Sequence, residues 1–303
     1  MGLFSLFKSS GMVYFPGDLT YFRFPDFYQL YLKIFSRLGI NVNVLDRQKS
    51  CGLVALEAGY ENEARKLMWK NLEDFKSEGV KRIITSSPES YVMFSQNYSS
   101  MLPDWEIEVV NLWELILNKL RTKSKLIKHK VTESVGYHDS CYLGRYSGIY
   151  NEPREILKLL GYKITEFQDS KEGSFCCGSC GGLPISNPRI ANKIAKERLL
   201  QAKRLGIKKI IVSSLENYDI LKQNSEGIDI VEFSEVLAIG LGIKKLEKDL
   251  DPEVEEVRIE ESNSNEENEI VSSSVSSVVD DDEIKIDEID LKEEEEIRQE
   301  YYE

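Results

Sequence analysis

Residues 81–91 read KRIITSSPESY and residues 208–218 read KKIIVSSLENY, so the same segment returns after 127 residues. Each copy follows a glycine, Gly79 or Gly206. That glycine closes a helical pattern over 57–79 or 187–206, with apolar residues at i, i+3 and i+4. Ahead of each helix stands a Cys-Gly pair, Cys51-Gly52 and Cys177-Gly178, offset by 126. Downstream, EIEVVNLWELIL (106–117) parallels GIDIVEFSEVLA (227–238), and upstream MVYFPGD (12–18) parallels SVGYHDSC (134–141). The body is therefore a duplication, and whatever one half folds into the other must repeat.

Within each half strands alternate with helices, the pattern of parallel strands joined by right-handed crossovers. The expected fold is α/β: two duplicated Rossmann-like parallel-sheet halves related by a pseudo-two-fold axis. The basic stretch NKLRTKSKLIKHK (118–130) joins them. The expected organisation is an N-terminal extension (1–11), a first half (12–125), a second half (126–245) and an acidic disordered tail (246–303). Strand ends in such sheets converge on one edge, where ligands bind. The loops around Asp18 or Cys141, Cys51 or Cys177, and Ser87 or Ser214 should then lie close in space.

Charge supports the division. The net charge of −13 conceals a split, because residues 251–303 hold 22 Asp+Glu against four Lys+Arg, whereas residues 1–250 hold 30 against 35. Such a tail repels itself and is expected to be disordered, either simply solvated or tethering a basic partner surface. The balance argues against nucleic-acid binding. No stretch approaches the roughly 18–20 apolar residues of a membrane-spanning helix, and MGLFSLFKSSGM is shorter than a signal peptide, so no secretory signal is expected. The expectation is a cytoplasmic protein without direct membrane insertion.

Four of the five cysteines, Cys141, Cys176, Cys177 and Cys180, fall in the second half, within YHDSCYLGR and SFCCGSCGG. Without a secretory signal a disulfide framework is not expected. Thiols gathered by strand-end loops suggest a metal site, and the glycines let backbone N–H groups aim at sulfur. Three chemistries are open: an iron–sulfur cluster, zinc, or redox-active thiols with no metal. Adjacent Cys176 and Cys177 reach two irons of a cluster more readily than one zinc ion. Cys177 and Cys180 form a CxxC before a helix, where the helix N-terminus lowers thiol pKa. His138, three residues before Cys141, is a further donor or a hydrogen-bonding core group, and His129 lies in the basic run.

These motifs resemble the cysteine-rich (CCG) domain family, which includes the CCG-bearing subunit of heterodisulfide reductase and the glycolate-oxidase iron–sulfur subunit. YFPGD, SCGLVALEAG, TSSPESY, YHDSCYLGR and VSSLENY are similar to the family's successive motifs, over about residues 12–240. The resemblance implies an iron–sulfur cluster, of a [4Fe-4S] type, held by cysteines. The departures have consequences. Asp18, Ser50, Ser87 and Ser90 stand where the family has cysteine, leaving only Cys51, so the first site is expected to be metal-free. In the second half Ser214 and Asn217 replace a CxxC, and Cys180 is a thiol the family does not require. The implied ligands are Cys141, Cys176, Cys177 and Cys180, enough for an ordinary cluster.

The function implied is an electron-transfer subunit of a multi-subunit oxidoreductase, with a flavin or iron–sulfur protein as partner. No GxGxxG or Walker A segment occurs. Alternatives are a non-catalytic scaffold with eroded cluster sites, or a thiol–disulfide redox protein.

Overall fold

A computed structural model describes residues 11–245. The N-terminal residues 1–10 and the acidic tail, for which disorder was expected, lie outside the described residues.

The two apolar runs of the repeated segment become the central strands of two parallel sheets. In the first sheet β1 (Met12–Phe15), β2 (Arg82–Thr85) and β3 (Glu108–Val110) lie in the order β1-β2-β3, with Val13 opposite Ile83 and Ile83 opposite Val109. The second adds β4 (Ser134–His138), β5 (Lys163–Thr165), β6 (Lys209–Val212) and β7 (Asp229–Glu232), in the order β5-β4-β6-β7. Here Tyr137 faces Ile211, which in turn faces Val231. Strands β1, β2 and β3 thus correspond to β4, β6 and β7. The counterpart of β5 shrinks to one parallel bridge between Val13 and Asn43. Strands covered on both faces need continuous apolar runs, and Met12–Phe15 is buried at every position.

Helices of the first half are α1 (Pro25–Leu38), α2 (Leu53–Glu57), α3 (Glu61–Ser77), α4 (Pro88–Val92), α5 (Tyr98–Met101) and α6 (Leu112–Thr122). The second half contributes α7 (Asn151–Leu159), α8 (Leu183–Ser186), α9 (Pro188–Arg204), α10 (Leu215–Asn224) and α11 (Phe233–Gly240). Local chemistry fixes their starts. Pro25 opens α1, the Asn111 side chain accepts from Trp113 and Glu114 N–H at α6, and Glu232 with Glu235 forms a capping box on α11.

Helices α1, α6, α7 and α11 carry the core shared by both sheets, where Tyr14, Phe35 and Trp113 meet Tyr137, Ile211 and Phe233. Trp113 and Phe233 pack edge to face at 4.6 Å, and Tyr31 donates to Glu232 at 2.9 Å across the join. Burying each such side chain contributes about 2 kcal/mol. The outer faces are covered separately: α3 packs Met68, Leu72 and Phe75 on the first sheet, and α9 packs Ala191, Ala195 and Leu199 on the second. Among the described residues no helix is long and apolar enough to cross a membrane.

Candidate functional site

The strands of both sheets deliver their C-terminal ends to one region, as parallel topology requires. Cys141 follows β4 and is buried. The glycine loop carrying Cys176, Cys177 and Cys180 precedes α8, and Asn217 lies in the first turn of α10 after β6. The loop closes on α9 at Gly178, whose φ is +85°. A Cβ there would stand 2.7 Å from the Ala191 carbonyl oxygen, so only glycine lets the loop lie this close. Gly52, with φ +89°, makes the equivalent approach to Ala64 on α3.

The four second-half cysteines come together. Cys141 lies near enough to the Cys176 and Cys180 thiols for each to shift the other's titration. Ser179 Oγ lies 3.4 Å from Cys177 Sγ and 3.2 Å from Cys180 Sγ. Each sulfur also meets a polar donor or hydroxyl. Arg145 Nη2 donates to Cys141 Sγ at 2.9 Å, Gly178 N–H to Cys176 Sγ at 3.3 Å, and Asn217 Nδ2 to Cys177 Sγ at 3.2 Å. Burial pushes the Cys177 thiol up to about 12, while the neighbouring Cys141 thiol, followed by burial, raises Cys176. With protons on sulfur the loop stays neutral, and a metal centre would enter by displacing them.

Among the described residues no three His, Cys, Asp or Glu side chains have the geometry to hold a single metal ion. The donor set nevertheless suits a thiolate-ligated cluster. It offers four thiols, the number such clusters use, with N–H donors on three of the sulfurs.

His138 is fully buried and is a hydrogen-bonded core group. Its Nδ1 accepts from Arg198 Nε at 3.2 Å, while Nε2 has no protein partner. Burial, then Arg198 and Arg145, hold its pKa well below the usual imidazole value, so the ring is neutral.

The first-half positions are joined by a different chemistry. Ser50 Oγ donates to Asp18 Oδ2 at 2.5 Å, Ser90 N–H to Ser87 Oγ at 3.1 Å, and Ser87 Oγ to Glu89 Oε2 at 3.2 Å. Cys51 is buried, and burial, followed by the nearby Asp18 carboxylate, raises its thiol to about 12. These side chains and backbone groups satisfy one another where the family places thiols. Asp18 Oδ1 alone is left without a partner.

Between the halves lies a cavity of about 360 Å³, reached by Cys51 from one side and Cys180 from the other. Glu89 and Glu216, equivalent residues of the repeated segment, line it and hydrogen-bond each other across the pseudo-two-fold axis. Ser214 Oγ lies 2.9 Å from a Glu89 oxygen and 2.8 Å from a Glu216 oxygen. One hydroxyl supplies only one proton, so a carboxyl must supply another, and the pair holds at least one. Sequence reasoning missed this pair, although both glutamates occupy the same place in SSPESY and SSLENY. It also missed Arg145, the last residue of YHDSCYLGR, and Arg198, one of several cations in the helical pattern 187–206.

The family description "Cysteine-rich domain" (CCG) matches residues 12–95 and 135–215, more than half of the chain and one segment in each half. Among curated proteins, "Probable iron-sulfur-binding oxidoreductase FadF" of Bacillus subtilis is 32% identical over 188 residues, 61% of this chain and 26% of that protein. "EtfAB:quinone oxidoreductase" of Syntrophomonas wolfei is 35% identical over 153 residues, 50% of this chain and 21% of that protein. A subunit of the dihydromethanophenazine:CoB--CoM heterodisulfide reductase of Methanosarcina barkeri is 25% identical over 176 residues, 56% of this chain and 43% of that protein. The chain spans less than half the length of each of these relatives.

Proposed function

Because the chain belongs to the cysteine-rich (CCG) domain family, we propose that it is an electron-transfer subunit of a multi-subunit oxidoreductase resembling heterodisulfide reductase. Its iron–sulfur cluster, of [4Fe-4S] type, is held by Cys141, Cys176, Cys177 and Cys180. The observation that carries this reading is the gathering of those four thiols, with N–H donors from Arg145, Gly178 and Asn217 on three of the sulfurs. Iron–sulfur and oxidoreductase chemistry in the names of the relatives supports it. The cluster supplies one-electron transfer, and the protein supplies its position and potential. The partners are other subunits of a redox complex, a flavin or iron–sulfur protein, in the cytoplasm. On this reading residues 12–125 are the half that has lost its ligands, residues 126–245 the half that keeps them, and 1–11 and 246–303 are appendages.

A specific observation favours a second reading. Asp18, Ser50, Ser87 and Ser90 form a hydrogen-bonded polar set at the family's cysteine positions in the first half. A chain retained for its fold, as a scaffold binding a catalytic relative, would tolerate that. Anaerobic purification and reconstitution with iron and sulfide separates the two. A brown protein containing iron and acid-labile sulfide supports electron transfer, and a colourless metal-free protein supports the scaffold.

A further inference from the structure

The cavity of about 360 Å³ between the halves is acidic, and among the described residues that line it the one cation is Arg23. That cation is already taken, because its Nη1 donates to Asp219 Oδ2 at 2.6 Å. The other four lining carboxyl groups, Asp18, Glu57, Glu89 and Glu216, meet neutral hydroxyls instead. Ser50 donates to Asp18, Tyr142 donates to Glu57, and the Ser87 and Ser214 hydroxyls meet the two glutamates. Asp18 Oδ1 has no partner at all. Burial raises all four above the ordinary carboxylate value, as expected for acids removed from water without a cation beside them. The remaining wall is apolar and includes Leu53, Val54, Ile185 and Ile220. Val54 and Ile185 are 56% and 80% exposed, so this wall runs out to solvent and gives an apolar molecule a way in.

These walls select the chemistry of an occupant. An anion would meet four carboxyl groups and no free cation. A bare metal ion is not accommodated, since among the described residues no three His, Cys, Asp or Glu side chains have the geometry to hold one. An organic ammonium satisfies both surfaces, because its N–H groups make charge-assisted hydrogen bonds to carboxylates while its hydrocarbon covers the apolar wall. We propose that the cavity binds a small apolar molecule bearing a primary ammonium group, with the ammonium against Asp18, Glu89 and Glu216 and the apolar body against Leu53, Ile185 and Ile220. Asp18, Ser87 and Ser90 line the cavity at positions where the family has cysteine, so its acidic, oxygen-rich character belongs to this chain. The arriving ammonium takes the place of the proton that Glu89 and Glu216 share, and that proton passes to the buffer. Asp18, Cys51, Glu57, Cys180 and the Arg23–Asp219 pair are the other charged or titratable groups lining the cavity around the two glutamates. The proposal goes beyond the electron-transfer reading and does not depend on a cluster in the thiol loop.

The test is isothermal titration calorimetry of the full chain with three probes of similar shape: benzylamine, benzyl alcohol and benzoate. Benzylamine should bind saturably and about tenfold or more tighter than benzyl alcohol, and benzoate should show no saturable binding. Benzylamine titrations in buffers of different ionisation enthalpy should reveal release of up to about one proton. The double variant Glu89→Gln/Glu216→Gln should lose both the preference for amine over alcohol and the proton release. Ile185→Lys replaces an exposed side chain and places a cation on the cavity wall, so it decides the matter where the double variant does not fold. It should weaken benzylamine about tenfold more than it weakens benzyl alcohol. The proposal is overturned if benzylamine does not bind saturably, if alcohol or benzoate binds as tightly, or if the amine preference survives loss of both carboxyl groups. Equal weakening of amine and alcohol by Ile185→Lys overturns it as well. Iron and sulfide counted in the same samples bear on the electron-transfer reading alone.

Discussion

Gly178 shows how one residue holds the cysteine loop in place. Its positive φ and its approach to Ala191 leave no room for a methyl group. Gly178→Ala should destabilise the protein by about 2–4 kcal/mol and scatter the thiols, whereas Gly52→Ala should cost less. The equivalent Cβ at Gly52 would stand 3.2 Å from the Ala64 carbonyl oxygen, against 2.7 Å at Gly178. Urea midpoints of the two variants check the order. At this scale the cysteines were legible in the sequence because thiols in a glycine loop have few structural uses. Arg198 was not, because in sequence it is one cation among several on α9, and only packing reveals that it is buried. Asn217 was recognised as a replaced ligand, but its donation to Cys177 depends on a contact made 40 residues away.

Individual elements follow their local signals closely. Gly39 ends α1 in the left-handed conformation, and Asn187 caps α9 through Ile190 N–H. Helix α6 depends on its cap in the same way. Asn111 Oδ1 accepts from Trp113 and Glu114 N–H at 3.0 and 3.2 Å, and the helix then buries Trp113, Ile116 and Leu120 in the shared core. Asn111→Ala should cost about 1 kcal/mol in chemical denaturation without altering iron content. A loss of iron there would mean that the join between the halves controls the thiol loop. The edge element around Asn43 was the least legible. Its segment INVNV (40–44) alternates apolar and polar residues as a strand would, yet it forms only a single bridge to Val13, so the alternation overstates the pairing.

At the scale of the molecule, duplication made the architecture readable. Two matching segments 127 residues apart required two matching central strands, and β2 and β6 are those strands. What sequence could not provide was the contact across the axis, because equivalence in sequence does not say which equivalent residues touch. Glu89 and Glu216 do touch, and burial first of all holds their shared proton well above the ordinary carboxylate value of 4.5. Asp18, Cys51, Glu57 and Cys180 act on the pair from the surrounding loops and α2, and all are acidic groups. The folded chain therefore binds the proton more tightly than the unfolded chain does. That contribution to stability is complete below pH 4.5 and is lost as pH rises through the raised value. Replacing both by glutamine should flatten this decline, so that the variant overtakes the unaltered protein at higher pH in thermal melts. Parallel curves at all pH values would show that the pair is not proton-linked to folding.

The most direct measurement is iron and acid-labile sulfide per chain after anaerobic reconstitution, in the unaltered protein and in Cys51→Ser, Cys177→Ser and Cys180→Ser. Cys177→Ser and Cys180→Ser remove thiols of the gathered set, whereas Cys51 is buried in the first-half core beside Leu53. The account predicts a loaded unaltered protein, an equally loaded Cys51→Ser variant and little or no cluster in the other two. Full loading of Cys180→Ser, or loss of the cluster on Cys51→Ser, would contradict it.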